Sequence, residues 1–190
     1  MQKLKAEVRQ RICAAALAEF KQYGYAAANI RRIAEKAEIS LGNIYRYFLN
    51  KEALYLAIIE PFKSNIKGFF GLLMNDSKEQ SCRDFAVALT EFVYGHKDEF
   101  VVVVFNDCPQ CKPSIADFLT ELTVPAIKSR ADGKMKQLGN KPQNPSFYDL
   151  VARGYINAVI EVFKQKNTKE KRIDDLAELT EFYFSLPGRD

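Results

Sequence analysis

Only one stretch of this chain, residues 100–105, reads as a β-strand, and a lone strand has nothing to pair with. Its four valines between Phe100 and Phe105 favour an extended backbone by propensity. Everywhere else apolar side chains recur at three- and four-residue spacing, the repeat of a helix that buries one face. Residues 100–105 are therefore predicted as a buried helix, and the fold class as all-α with about nine helices. With 190 residues, 47% of them hydrophobic, the chain can close one or two cores, which excludes a disordered or fibrous polymer. It contains no apolar run of about 18 residues and no charged-then-apolar leader, so no membrane segment is expected. A soluble, cytoplasmic protein is expected, with Cys13, Cys82, Cys108 and Cys111 as reduced thiols.

The punctuation supports the helical reading. Val8, Ile12, Ala16 and Phe20 form a stripe on a first helix that ends at Gly24. Asn29 caps a short second helix carrying Ile30, Ile33, Ala34 and Ala37, and Ser40 caps a third running to Phe48, with Ile44 and Phe48 inward. Asn50 caps a fourth, 51–74, which Pro61 is expected to kink. Later helices are predicted over 81–95, 114–138, 146–165 and 170–186. Ser146 with Asp149 and Asn167 with Glu170 supply capping-box signals for the last two.

The formal charge of +4 is small, but its distribution is uneven. Residues 1–60 hold ten basic and six acidic side chains, while the other 130 residues balance at 18 of each. A basic module, 1–50, joined by the helix 51–74 to a neutral module, 51–190, is the natural division. Within the basic part, residues 29–48 place two short helices on either side of a tight turn, the span of a helix-turn-helix. The second helix presents Ser40, Asn43, Tyr45, Arg46 and Tyr47, with Lys51 just beyond. Amide and guanidinium groups suit base edges, and hydroxyls and ammonium suit phosphates. Two helices packed in an ordinary core would share the bare pattern.

The longer string is more specific. Phe20-x-x-x-Gly24-Tyr25, Ile33-Ala34 and Ile39-Ser40-x-Gly42-x-Ile44-Tyr45-x-Tyr47-Phe48-x-x-Lys51-Glu52-x-Leu54 closely resembles the N-terminal domain of the tetracycline-repressor (TetR) family. The resemblance implies a dimeric DNA-binding regulator, a repressor released from a palindromic operator by a small effector. It implies that Gly42 lets the recognition helix approach the backbone and that Tyr45, Tyr47 and Lys51 grip phosphates. Ser40, Asn43 and Arg46 would face the groove. The chain departs from the family where Thr-Thr is common and Ala28-Asn29 stands, so Asn29 must supply the cap and a phosphate contact. Leu41 replaces a common basic residue and offers an apolar contact to a thymine methyl. Glu38 replaces a turn glycine at a cost of about 1 kcal/mol if its φ is positive. Arg31 and Arg32 would restore phosphate charge.

The resemblance also implies homodimerisation through the helices 146–165 and 170–186, whose broad apolar faces and Gly154 allow close helix contact. Phe62, Ile66, Phe69, Phe92, Phe105 and Phe118 are candidate contacts for an apolar or amphipathic effector. His96, the only histidine, is placed with Asn157 or Glu161 as a polar partner. Cys108-x-x-Cys111 offers an alternative, a thiol-redox or metal-responsive regulator. An enzyme is not expected, because one histidine, no Gly-rich phosphate loop and no metal-spaced carboxylates leave no catalytic set. No cofactor and no resident metal are expected.

Overall fold

The computed structural model describes residues 2–75, 81–105, 108–111, 113–137 and 144–184. The expected connections 76–80 and 139–143, and the apolar positions Leu138 and Leu186, lie outside the described residues. Among the described residues there are nine helices and no strand. They are α1 (Gln2–Ala27), α2 (Ile30–Lys36), α3 (Leu41–Tyr45), α4 (Lys51–Asn75), α5 (Cys82–Gly95), α6 (Lys97–Phe105), α7 (Ile115–Gln137), α8 (Pro145–Lys164) and α9 (Lys169–Phe184). The valine run is helical, in α6, as its lack of a partner strand requires, and Val102 and Val103 are buried.

Packing divides the chain into two compact units, Met1–Ile66 with His96–Ser114, and Lys67–Gly95 with Ile115–Asp190. The first is larger than residues 1–50, because the first part of α4 and all of α6 belong to it. Its core is the stripe Ile12, Ala16 and Phe20 of α1 set against Ile33, Ala34, Ile44, Phe48, Leu54 and Ile58, all buried. Phe20, Tyr25 and Tyr55 meet pairwise at ring separations of 5.3 to 5.8 Å, an arrangement worth roughly 0.5–1.5 kcal/mol per pair beyond area burial. Gly24 adopts φ 74° and ψ 164°, a conformation open to glycine, so α1 turns there before its last three residues. Helix α4 continues through Pro61 to Asn75.

In the second unit, α8 and α9 form an antiparallel hairpin, with α7 against α8 and α5 against α9. Ile127, Tyr148 and Ala152 make a buried cluster flanked by Val124, Val151 and Phe184. Tyr155 bonds to Thr180 at 3.0 Å between hydroxyls. A Cβ on Gly154 would lie 3.0 Å from Tyr183 Oη, so the close approach this glycine permits is made within the chain. Arg172, buried on α9, donates to the carbonyls of Gln165 and Asn167 and to the Tyr94 hydroxyl, closing the C-terminal end of α8.

Two expected caps are replaced by neighbours. Asn144, not Ser146, caps α8, because Pro145 fills the first helical position with its fixed φ and Asn144 Oδ1 accepts from Ser146 N at 3.1 Å. Thr168 Oγ1, not Asn167, accepts from Lys171 N at the start of α9, while Asn167 Nδ2 donates to Gln165 and Asp175. Ser81 and Asp84 make a reciprocal capping box on α5 that the sequence reading passed over.

Candidate nucleic-acid interface

The geometry of α2 and α3 is fixed by side-chain caps at their N-terminal ends and by backbone bonds at their C-terminal ends. Asn29 Oδ1 accepts from Arg31 N at 2.8 Å and Ser40 Oγ from Asn43 N at 3.3 Å, the two caps expected from sequence. Between them, Ile39 N donates to Ala34 O and Glu38 N to Glu35 O, both at 3.1 Å, the paired bonds of a Schellman turn. Glu38 occupies the left-handed position of that turn at φ 55°, where a side chain is strained. Helix α3 ends at Tyr45, three residues short of the expected Phe48. The bonds of Tyr47 N and Phe48 N to Ile44 O, both 2.9 Å, carry a turn on to Phe48.

On this frame Ser40, Gly42, Tyr45 and Arg46 are exposed, Leu41, Asn43 and Tyr47 half-buried, and Ile44 and Phe48 buried. A Cβ added at Gly42 would meet nothing within 4 Å, so the surface beside it is open to a close-approaching chain. Asn29 and Arg31 are exposed at the start of α2. These residues therefore share one neighbourhood, α2 and α3 with their caps.

Lys51 sits differently from its expected phosphate-gripping place. Its ammonium donates to the carbonyls of Tyr25, Ala26 and Ala28 at 2.8, 3.2 and 3.3 Å and lies 4.7 Å from the centre of the Tyr25 ring. The break at Gly24 turns those carbonyls toward the first residue of α4, and Lys51 supplies their donors. Arg32, too, points away from the role expected of it. Its Nε donates to Glu19 Oε1 at 2.6 Å, Nη2 to Ala27 O at 3.0 Å, and its guanidinium covers the Tyr23 ring at 4.3 Å.

Glu19 is the residue the sequence reading missed. It is fully buried, and its carboxylate accepts from Arg32, from Lys36 Nζ at 3.0 Å and from Asn29 N at 3.2 Å. Burial alone would raise its pKa, yet the bonds from Arg32, Lys36 and the Asn29 amide hold it below the ordinary glutamate value. An acidic residue beside Phe20, on the inward stripe of α1, was the available signal. It ties the N-terminus of α2 to α1 and pairs with two cations of the basic module, offsetting one of their two charges.

The candidate effector contacts fall in both units. Phe62 and Ile66 are buried in the first, where His96 hydrogen-bonds Asn65 at 3.2 Å and lies 5.8 Å from the Phe62 ring. Asn65 is thus one polar partner of His96, for which sequence reasoning named Asn157 or Glu161. Phe105 is about half exposed. In the second unit Phe69 and Phe92 stack at 4.7 Å, Phe118 is half-buried and Asn157 is exposed. Glu161 pairs with Lys164. Cys108 and Cys111, expected as free thiols, form a disulfide because the turn after α6 brings their Cα atoms to 5.2 Å, within bridging reach; Cys13 and Cys82 are free. Among the described residues no group of three or more His, Cys, Asp or Glu is placed to hold a metal ion. None of the described helices is long and apolar enough to cross a membrane.

Fold and site together define an all-helical chain with a helix-turn-helix near its N-terminus. Residues 12–58 match the family described as bacterial regulatory proteins, tetR family. YvkB of Bacillus subtilis strain 168, an HTH-type transcriptional regulator, is 25% identical over 153 residues, which cover 77% of this chain and 79% of that one. RutR of Escherichia coli K12, also an HTH-type transcriptional regulator, is 41% identical over 51 residues, 27% of this chain and 24% of its own length. The transcriptional regulator FadR from Bacillus subtilis, solved in complex with stearoyl-CoA, shares the fold with a TM-score of 0.67 at 14% identity, over 93% of this chain and 97% of that one. The family match lies on the helix-turn-helix segment, and the relatives and fold neighbours that the chain resembles are named as transcriptional regulators.

Proposed function

We propose that the protein is a cytoplasmic, homodimeric repressor that reads a palindromic operator through α3 and the turn after it and leaves the DNA when an apolar or amphipathic effector binds. Residues 1–50 form the DNA-binding domain and residues 51–190 the effector-binding and dimerisation domain. The observation that carries this reading is the exposure of Ser40, Tyr45 and Arg46 on a segment whose backbone is capped at both ends. Rigid presentation of a guanidinium and hydroxyls is what base and phosphate recognition needs. Arg46 and Asn43 read base edges, while Tyr45, Tyr47, Asn29 and Arg31 contact phosphates.

Dimerisation is supported by Leu150 on α8 and Phe182 on α9, which are 67% and 75% exposed. Large exposed apolar side chains on two helices joined as a hairpin suit an interface that a second copy would cover. An effector of apolar character is supported by aromatic side chains such as Phe69 and Phe92. FadR, which shares the fold, is seen with a long-chain acyl-CoA.

Selection of duplexes from a random pool by the full chain tests the reading. Enrichment of a palindrome with half-site centres about 34–36 Å apart, or a multiple of that, is the expected result. Arg46→Ala should lose about 1–3 kcal/mol on the selected duplex and relax preference at one position of each half-site. No enrichment from the pool would refute the reading.

A further inference from the structure

We propose that Cys108 and Cys111 are a reversible oxidation site, and that opening or closing their disulfide adjusts the protein's affinity for DNA. The inference rests on the DNA-binding reading and adds a second input to it. The two cysteines are 0% and 6% exposed, and Cys111 N donates to Cys108 O at 3.0 Å, a turn that keeps the sulfur-bearing residues together whether or not they are bonded. A bridge between residues three apart closes a very small ring. It restricts the unfolded chain far less than a long-range bridge and is poorly suited to serve as a staple. Buried, paired and dispensable for holding distant segments together, it fits a bond that is made and broken.

Its position gives the bond something to act on. The pair follows directly on α6, and both belong to the unit that contains the DNA-binding helices. Helix α6 packs on α1, where Asp98 pairs with Lys21, and α1 carries Glu19, whose carboxylate holds the N-terminus of α2. Whatever alters the end of α6 meets a continuous series of packed and bonded contacts to the helix-turn-helix. The other two cysteines lack a partner thiol, so neither can close a bridge within the chain.

The chemistry balances with a peroxide as oxidant. The thiolate of Cys111, the less buried of the two, attacks one peroxide oxygen, becomes a sulfenic acid and releases hydroxide. The Cys108 thiolate then attacks that sulfur and expels a second hydroxide. Two electrons have passed from the sulfurs to the peroxide, and the two thiol protons leave as part of two waters. A dithiol reverses the change by exchange, its own sulfurs ending as a disulfide.

The experiment compares the full-length chain after dithiothreitol with the same chain after hydrogen peroxide and removal of the oxidant. Iodoacetamide labelling with peptide mass analysis reports which cysteines remain free. Fluorescence anisotropy, on a duplex selected by the reduced protein, reports affinity at one salt concentration. The expected result is protection of Cys108 and Cys111 from labelling after peroxide, with an affinity change of about fivefold or more. A Cys108→Ser, Cys111→Ser double variant should bind the duplex and lose the response, and a Cys13→Ser, Cys82→Ser variant should keep it. Equal affinity in the two states overturns the proposal, as does labelling of both cysteines after peroxide or a response that persists in the first double variant. Binding of no duplex in either state is a different failure, since it removes the DNA-binding reading itself.

Discussion

Lys51 offers the sharpest test of how the DNA-binding module is built. Replacing it with methionine keeps an unbranched stem of similar length and removes the ammonium. The change deletes one short bond to Tyr25 O, two longer ones to Ala26 O and Ala28 O, and the contact with the Tyr25 ring. A hydrogen bond from a charged donor contributes about 1.5–3 kcal/mol net, and a partly exposed cation–π contact about 0.5–1 kcal/mol. Lys51 is half-buried, so water recovers part of what the carbonyls lose. A loss of about 2–3 kcal/mol is expected, a fall in Tm of roughly 5–10 °C for a chain of this size. The second measurement is the dependence of DNA affinity on salt, well below the Tm of both proteins. Each phosphate contact contributes about 0.9 to the slope of log affinity against log salt. An ammonium held by three carbonyls contributes nothing, so the slope of Lys51→Met should equal that of the wild type. A variant with unchanged Tm and a slope lowered by about 0.9 per subunit would show that Lys51 grips phosphate and that its carbonyl contacts are incidental.

Other outcomes follow from the same packing. Glu19→Gln should destabilise by about 2–3 kcal/mol, less than a fully enclosed ion pair because Arg32 and Lys36 are partly exposed. Because the folded-state pKa of Glu19 lies below its ordinary 4.5, its contribution is complete above that pH and is lost as pH falls through the folded value. Urea titrations should therefore show the difference between wild type and Glu19→Gln shrinking below about pH 4.5, and a constant difference would contradict the burial argument. Glu38→Gly should raise stability by about 0.5–1 kcal/mol, since glycine relieves the strained φ and the exposed pair with Arg11 at 3.7 Å contributes little. Thermal melts decide this, a lower Tm meaning that the side chain does more than occupy the turn. Leu150→Asp combined with Phe182→Asp should leave the circular dichroism unchanged and convert the protein to monomer in sedimentation.

Features that depend on neighbours in sequence were legible. Gly24, Asn29, Ser40 and Asn50 act through bonds or backbone angles that close within three residues, so their type and place suffice. The valine run was legible by elimination, through the absence of a second strand. Where two capping residues stand within two positions of each other, local reasoning loses discrimination. Asn144 took precedence over Ser146 because Pro145 suits the first helical position, and Asn167 spends its amide on Gln165 and Asp175. Long-range partners were not legible at all. Lys51 meets carbonyls 23 to 26 residues away, and Glu19 meets Lys36 17 residues away. Neither distance has a signature in helical periodicity. The thiol state of Cys108 and Cys111 was equally hidden, because the spacing of two cysteines does not fix the turn that brings them together.

Engaging Arg32 and Lys36 at Glu19, and enclosing Lys51 with carbonyls, leaves the basic third of the chain with fewer cations free to meet DNA than its composition advertises. A protein that displaces fewer condensed ions slides over random sequence with a shallower hold. It dwells more briefly on each wrong site, and its occupancy of the right one varies less when the ionic content of the cell changes. On the DNA-binding reading proposed above, the buried carboxylate would shift the balance from attraction toward recognition in the search along DNA.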